Sequence, residues 1–151
     1  MRVVADTDVL STFARIHKLQ ILKQLFDEVI IPPSVKSEPS RGRIDVKPLK
    51  PSLAQLAKEE LKDLKSVDVR LGRGERECFV IAKSRNLPLA SNEKIVLLLC
   101  RKDGIGCFTL PRILRFAIME KVITREEARQ LVKIIEEEEN TVIRNKDEIF
   151  G

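Results

Sequence analysis

The stretch RVVADTDVLSTF, residues 2–13, decides the fold class of this chain. Its first part, Arg2–Ala5, is an apolar run that ends at Asp6, which predicts a short buried strand in a parallel sheet. Apolar side chains then recur at helical spacing, so a helix capped by Thr7 or Asp8 should follow directly. A strand that leads straight into a helix is typical of an α/β domain.

The same alternation continues to the end of the chain. Further strands are predicted at Val29–Ile31, Leu87–Ala90 and Ile105–Phe108, with a brief extended segment at Val67–Val69. Helices are predicted at Leu19–Phe26, Ser52–Leu64, Glu75–Asn86, Glu93–Lys102 with Asn92 as cap, Leu110–Met119, and from Arg125 onward behind a Thr124–Glu127 capping box. We therefore expect a single α/β domain over residues 1–151, with a small parallel sheet of about four to five strands flanked by helices.

Residues 39–50 interrupt this pattern with prolines and a glycine, and they are predicted to form a mobile basic loop. Arg41, Arg43 and Lys47 outnumber the acidic residues there, so the loop is a candidate for contact with a phosphate backbone. A basic loop that is merely solvated explains the same composition.

Composition narrows the classes of function. The 28 Lys and Arg residues against 23 Asp and Glu residues give a net charge of +5, which is compatible with a polyanionic partner. Three cysteines without CxxC spacing and one histidine argue against a zinc site and against disulfides, so the cysteines are interpreted as buried thiols. The apolar runs are too short to span a bilayer and Asp6 interrupts any signal peptide, which predicts a soluble cytoplasmic protein.

Several oxygen-bearing side chains follow different strands or begin crossover helices. They are Asp6, Glu38, Glu75, Asn92 and Glu93. Each has an ordinary explanation as a turn, a surface residue or a helix cap, and Asp8 is a weaker candidate for the same reason. Because the carboxyl ends of parallel strands meet at one edge, convergence of these groups predicts a site for a hard divalent cation, Mg²⁺ or Mn²⁺.

The chain resembles the PIN-domain family, and within it the compact prokaryotic members related to VapC-type toxins. The resemblance rests on four segments in order: VVADTDVLSTFARI, IIPPSVKSE, LGRGERECFVIAKSRNLPLASNEK and GIGCFTLPRIL. It implies RNA hydrolysis supported by Mg²⁺ or Mn²⁺, with Asp6, Glu38 and Glu75 as catalytic residues and Asp6, Glu75, Asn92 and Glu93 as metal ligands. Relatives usually have an aspartate where this chain has Asn92.

Two functions follow from this resemblance. The first is a metal-dependent endoribonuclease, as the toxin of a pair with an antitoxin protein. The alternative is an RNA- or protein-binding module whose chemistry is weakened at Asn92. A nucleotide-binding domain is disfavoured because the Gly72–Gly74 segment lacks a phosphate-binding loop. A homodimer is also predicted, for two reasons. The resemblance implies pairing, which is common among related domains, and one helix carries more apolar residues than a small sheet needs: Leu110, Ile113, Leu114, Ala117 and Ile118.

Overall fold

The central element of the structure, a computed structural model that describes residues 1–34 and 45–151, is a parallel sheet. Its five strands are β1 (Arg2–Ala5), β2 (Glu28–Ile31), β3 (Ser52–Leu53), β4 (Leu89–Ala90) and β5 (Cys107–Phe108). They are arranged in the order β3-β2-β1-β4-β5, and all neighbours run parallel. The predicted α/β class is confirmed, and the N-terminal strand occupies the middle of the sheet.

Helices flank this sheet. They are α1 (Thr7–Arg15), α2 (Leu19–Leu25), α3 (Lys58–Asp63), α4 (Arg73–Arg85), α5 (Lys94–Asp103), α6 (Leu110–Met119), α7 (Arg125–Glu139) and α8 (Asp147–Phe150), with 3₁₀ turns at Lys47–Leu49 and Leu64–Ser66. The predicted helix at Leu110–Met119 and the capping box that starts α7 are both confirmed. Within the described ranges, no helix is long and apolar enough to cross a membrane.

The core forms around β1, where Val3, Val4 and Ala5 are each at most 1% exposed. A strand covered on both faces needs such an uninterrupted apolar run. At one end of the core, Phe26, Phe108 and Phe116 form a cluster with ring centroids 5.3 to 5.9 Å apart. This cluster joins the end of α2 to β5 and α6, and so secures the edge strand nearest the C-terminal helices.

The helix predicted over Ser52–Leu64 is wrong in its first half. Ser52–Leu53 is a strand that pairs with β2, and the Ala54 N–H extends the pairing by donating to the carbonyl oxygen of Ile31 at 2.9 Å. The helix that follows, α3, is much shorter than predicted. Leu53 is 43% exposed, so the helical periodicity of the leucines does not describe a single buried face. Pairing with a distant strand has overridden a local pattern.

At two irregular segments, the structure differs from the sequence prediction. Val67–Val69 is not a strand, since a 3₁₀ turn ends at Ser66 and Val69 is exposed. Lys47 opens a 3₁₀ turn, and the Lys47 N–H donates to Asp45 Oδ1 at 3.0 Å. Residues 39–44 of the predicted basic loop lie outside the described residues.

The apolar face of α6 does not provide the dimer surface predicted from the sequence. Leu110, Ile113, Leu114 and Ala117 are all buried within the chain, and only Ile118 is partly exposed. These side chains complete the core beneath α7 and α8 instead of presenting an apolar surface to a second copy. The apolar residues of α6 therefore do not support the homodimer, which stays a prediction.

The three thiols are free, as predicted, but they differ in burial. Cys78 and Cys100 are buried, whereas Cys107 is only partly buried. The Cys78 thiol lies 3.7 Å from the carbonyl oxygen of Ala5, beneath the end of β1, and burial raises its pKa well above the ordinary value. Cys78 is therefore an apolar packing residue and not a reactive thiol.

Candidate active site

The register of β1 and β4 brings two polar residues together at the carboxyl ends of these strands. Ala5 pairs with Ala90, and the Asp6 N–H donates to the carbonyl oxygen of Ala90 at 3.0 Å. The next residue of each strand is therefore held side by side, and Ser91 Oγ donates to Asp6 Oδ2 at 3.3 Å. Asp6 thus reaches the position where ligands gather in parallel sheets.

The environment of Asp6 is unusual for a carboxylate because the residue is only 4% exposed. Its Oδ1 accepts a hydrogen bond from the Thr7 N–H at 2.7 Å, so Asp6 itself caps α1. The prediction that Thr7 or Asp8 is the cap was wrong. Burial, followed by the charges of Asp8 and Glu75, raises the pKa of Asp6 from 3.8 to about 7, although the hydrogen bonds from Thr7 and Ser91 act in the opposite direction.

Asp8 contributes more to this region than its sequence context suggested. One carboxylate oxygen, Oδ1, accepts from the Val9 N–H at 2.7 Å. The other, Oδ2, accepts from the Asn92 N–H at 3.1 Å and so connects α1 to the segment that follows β4. The only signal for Asp8 in the sequence is its spacing two residues after Asp6, which places it in the first turn of the same helix.

Glu75 approaches the site from α4. It lies in the first turn of that helix and is half-buried, and its charge is close enough to raise the pKa of Asp6. Asp6 and Glu75 were predicted from sequence to meet at one edge of the sheet, and their electrostatic coupling agrees with that prediction.

Glu77, one turn after Arg73 in α4, was missed by sequence analysis. It is 3% exposed, and its Oε1 accepts from the Ser34 N–H at 3.3 Å. Its Oε2 accepts from Arg73 Nε at 3.2 Å. Glu77 therefore holds the chain just after β2 against α4, next to Glu75. No local signal distinguishes it from an ordinary helix-surface glutamate.

Asn92 and Glu93 both accept hydrogen bonds from the first turn of a helix. Asn92 Oδ1 accepts from the Leu110 N–H at 2.8 Å, at the start of α6, which is capped by Thr109. The cap of α5 is Glu93, whose Oε1 accepts from the Ile95 N–H at 3.3 Å. The predicted capping of α5 by Asn92 was therefore wrong. The role of both residues as metal ligands stays a prediction.

The other predicted site residues lie further along the chain. Glu38, Arg41 and Arg43 lie outside the described residues. Lys47 is exposed at the start of its 3₁₀ turn, 16 residues after the end of β2 at Ile31. The structure thus brings Asp6, Asp8, Glu75 and the backbone of Asn92 into one region.

The donor chemistry of this region fits a hard divalent cation. The charges of Asp8 and Glu75 raise the cost of ionising Asp6, and a cation would relieve that repulsion. Between the two aspartates, the buried Thr7 Oγ1 has no hydrogen-bond partner among the residues that the structure describes. The same residues contain no group of three or more His, Cys, Asp or Glu side chains already gathered closely enough to hold a metal. The region therefore supplies suitable oxygens without a completed ligand cage.

Comparison with known proteins agrees with this architecture. A sequence profile of the family described as PIN domain matches residues 2–147. The chain belongs to the PIN-domain family. PIN domains are generally nucleases, so family membership assigns this PIN domain to a nuclease-type fold in which divalent ions are typical.

The fold of this PIN domain also occurs in a solved structure, that of a PilT N-terminus domain protein from the hyperthermophilic archaeon Sulfolobus solfataricus P2. The two chains are 16% identical, the match covers 75% of this chain and 90% of the archaeal one, and the TM-score is 0.57. At this identity the likeness supports the fold alone. No curated protein sequence matches this chain.

Proposed function

We propose that this PIN domain is an endoribonuclease that depends on Mg²⁺ or Mn²⁺. The observation that carries the proposal is the buried Asp6 carboxylate at the end of the central strand, crowded by Asp8 and Glu75. A buried carboxylate with a raised pKa at a strand end is a feature of functional sites more often than of purely structural ones.

In this proposal Asp6, Asp8 and Glu75 hold the cation, with Glu38 as the further acid that the family resemblance implies. When bound, such a cation supplies Lewis acidity for the hydrolysis of a phosphodiester. The chain's own contribution is to orient the carboxylates. The Thr7 N–H fixes one oxygen of Asp6, Ser91 Oγ fixes the other, and the Asn92 N–H fixes one oxygen of Asp8.

A titration with Mn²⁺ by calorimetry tests the metal site. Replacing Asp6→Asn or Glu75→Gln should weaken Mn²⁺ binding by at least about tenfold, because each change removes a charged oxygen ligand. Asp63→Asn, an exposed aspartate at the end of α3, is the matched control and should bind Mn²⁺ like wild type. Unchanged affinity in both site variants would refute the proposed metal site.

A second function is favoured by one observation. Asn92 is neutral where the family resemblance implies an acid, and its Oδ1 already accepts from Leu110, while the Glu93 carboxylate already accepts from Ile95. If neither contributes to the cation, the domain is a weakened PIN-type module that binds RNA or protein. Cleavage of a generic single-stranded RNA with Mn²⁺ separates the two functions. If the domain is a nuclease, wild type should cleave the RNA and Asp6→Asn should not. Equal background rates for both proteins would refute the nuclease and support the binding module.

The toxin role and its antitoxin partner rest on the resemblance to VapC-type toxins. A neighbouring gene for a small antitoxin-like protein, and inhibition of cleavage by its product, would support that role. The homodimer predicted from α6 is tested by light scattering at micromolar protein concentration. A single mass near 17.2 kDa would exclude it under those conditions.

A further inference from the structure

A groove of about 810 Å³ lies beside the candidate active site, between α5, the start of α6 and the segment 139–148. We call it the C-terminal groove. Its volume falls within the range of about 300 to 1,000 Å³ that is usual for ligand-binding clefts.

One wall of the C-terminal groove is in direct hydrogen-bond contact with the carboxylate region. Asn92 lines the groove, and its backbone N–H donates to Asp8 Oδ2 at 3.1 Å. Glu139 also lines the groove, and it accepts from Thr12 Oγ1 at 2.6 Å, one helical turn after Asp8. The groove and the carboxylate region are therefore joined directly through the contacts of Asn92 and Glu139 with α1.

The exposed charges of the groove favour an anionic occupant. Lys94, Arg101, Arg112 and Arg144 line it and are exposed. Arg112 is held in place because its Nη1 donates to the carbonyl oxygen of Cys107 at 3.0 Å. Against these cations stand Glu139 and Glu148, and Glu139 already faces Arg15 at 3.9 Å. Cations spaced along a groove match the repeating phosphates of a nucleic acid strand.

The floor of the groove is apolar. Leu97 and Ile105 are half-buried there, and Val142 is 70% exposed. Such a surface suits the faces of unpaired bases, which a duplex keeps stacked inside its helix. The combination of cations with an apolar floor therefore selects a single strand over a duplex.

We propose that the C-terminal groove binds the single-stranded RNA substrate next to the carboxylate site, with Arg101 and Arg144 contacting its phosphates. The RNA identity of this strand rests on the proposed function. The contact of Asn92 with Asp8 places the groove so that a bound strand continues onto Asp6.

Binding of a labelled 12-nucleotide single-stranded RNA, measured by fluorescence anisotropy in EDTA, tests this proposal without any cleavage. The double variant Arg101→Gln/Arg144→Gln is compared with Lys58→Gln/Lys62→Gln, which removes the same charge from exposed residues of α3 outside the groove. Each phosphate contact to a single strand contributes about 0.7 to the slope of log affinity against log salt. In the groove variant, the magnitude of that slope should therefore be smaller than in wild type by about 1.4, and the affinity at 0.1 M salt should be about 25-fold lower. Melting curves by circular dichroism confirm that both variants remain folded.

Equal affinities and slopes in the two double variants would overturn the proposal, as would a wild-type protein that binds no RNA. Equal dependence on Arg101 and Arg144 for a duplex of the same sequence would overturn the choice of a single strand. Cleavage by the wild type with Mn²⁺ is measured separately. If the wild type cleaves RNA but the groove variant binds it equally well, RNA binding in the groove is refuted and the nuclease function stands. If RNA binding depends on the groove residues but no cleavage occurs, the nuclease function is refuted and RNA binding in the groove stands.

Discussion

The raised pKa of Asp6 makes a direct prediction about stability. In the metal-free protein, the folded state holds the Asp6 proton up to a pH of about 7, whereas the unfolded chain releases it near 3.8. The folded state therefore binds more protons than the unfolded state between these values, and the free energy of unfolding falls as the pH rises through this window. Above about pH 7 the cost of burying the charged carboxylate is fully present.

Asp6→Asn removes that cost while keeping nearly the same shape. The amide oxygen can still accept from the Thr7 N–H, and the Ser91 hydroxyl can rotate to accept from the amide nitrogen. A pKa raised from 3.8 to about 7 corresponds to a free energy on the order of 4 kcal/mol. At pH 8 in EDTA, the variant should thus be more stable than wild type by up to about 4 kcal/mol, and near pH 4 the difference should vanish.

Urea unfolding followed by far-ultraviolet circular dichroism measures this difference between pH 4 and pH 8. The chain has no Trp or Tyr, so intrinsic fluorescence is a poor probe. Asp63→Asn serves as the control and should run parallel to wild type at every pH. If the free energy of unfolding of Asp6→Asn also changes with pH in the same way as that of wild type, the predicted cost of burying the ionised Asp6 carboxylate is refuted.

Three further predictions follow from individual contacts. Arg85→Ala should destabilise the protein by about 2–3 kcal/mol in thermal or urea unfolding, because it leaves the buried Glu60 with fewer partners. These contacts, led by Arg85, lower the pKa of Glu60 from 4.5 to about 2, so wild type should lose this stability as the pH falls through that range. If the stability of Arg85→Ala falls with pH in the same way as that of wild type, the stabilising role of Arg85 is contradicted. Asn92→Ala should cost about 1 kcal/mol because the Leu110 N–H at the start of α6 loses its acceptor, whereas Asn92→Asp should preserve stability. If the site is a weakened nuclease, Asn92→Asp should also raise the rate of RNA cleavage with Mn²⁺. The double variant Asn92→Asp/Asp6→Asn is the control for contaminating nuclease. Equal rates for wild type and Asn92→Asp would refute the hypothesis of a weakened site.

Much of the site was predictable because it depends on where strands end. The run at Arg2–Ala5 followed by an acid predicted both β1 and the location of Asp6, and the glycines at Gly72 and Gly74 placed Glu75 in a first helical turn. These features are local. The residue at which an apolar run ends, and a capping box such as that of Thr124 and Glu127, are visible within a window of about ten residues, so sequence patterns predict them.

The remaining features depend on contacts between residues far apart in the chain. Ser52–Leu53 forms a strand only because β2 offers an edge to pair with, although its leucine spacing favours a helix. Asn92 accepts from the Leu110 N–H, 18 residues away at the start of α6, although the nearest helix start is α5, two residues after it. Asp8 gains its role from the Asn92 N–H across the sheet. Sequence by itself determined the class of fold and the carboxyl ends of β1, β2, β4 and β5. Only the tertiary structure decided the long-range donors, which are Ser91 for Asp6, Asn92 for Asp8 and Leu110 for Asn92, because strand register and not proximity in the chain brings these groups together.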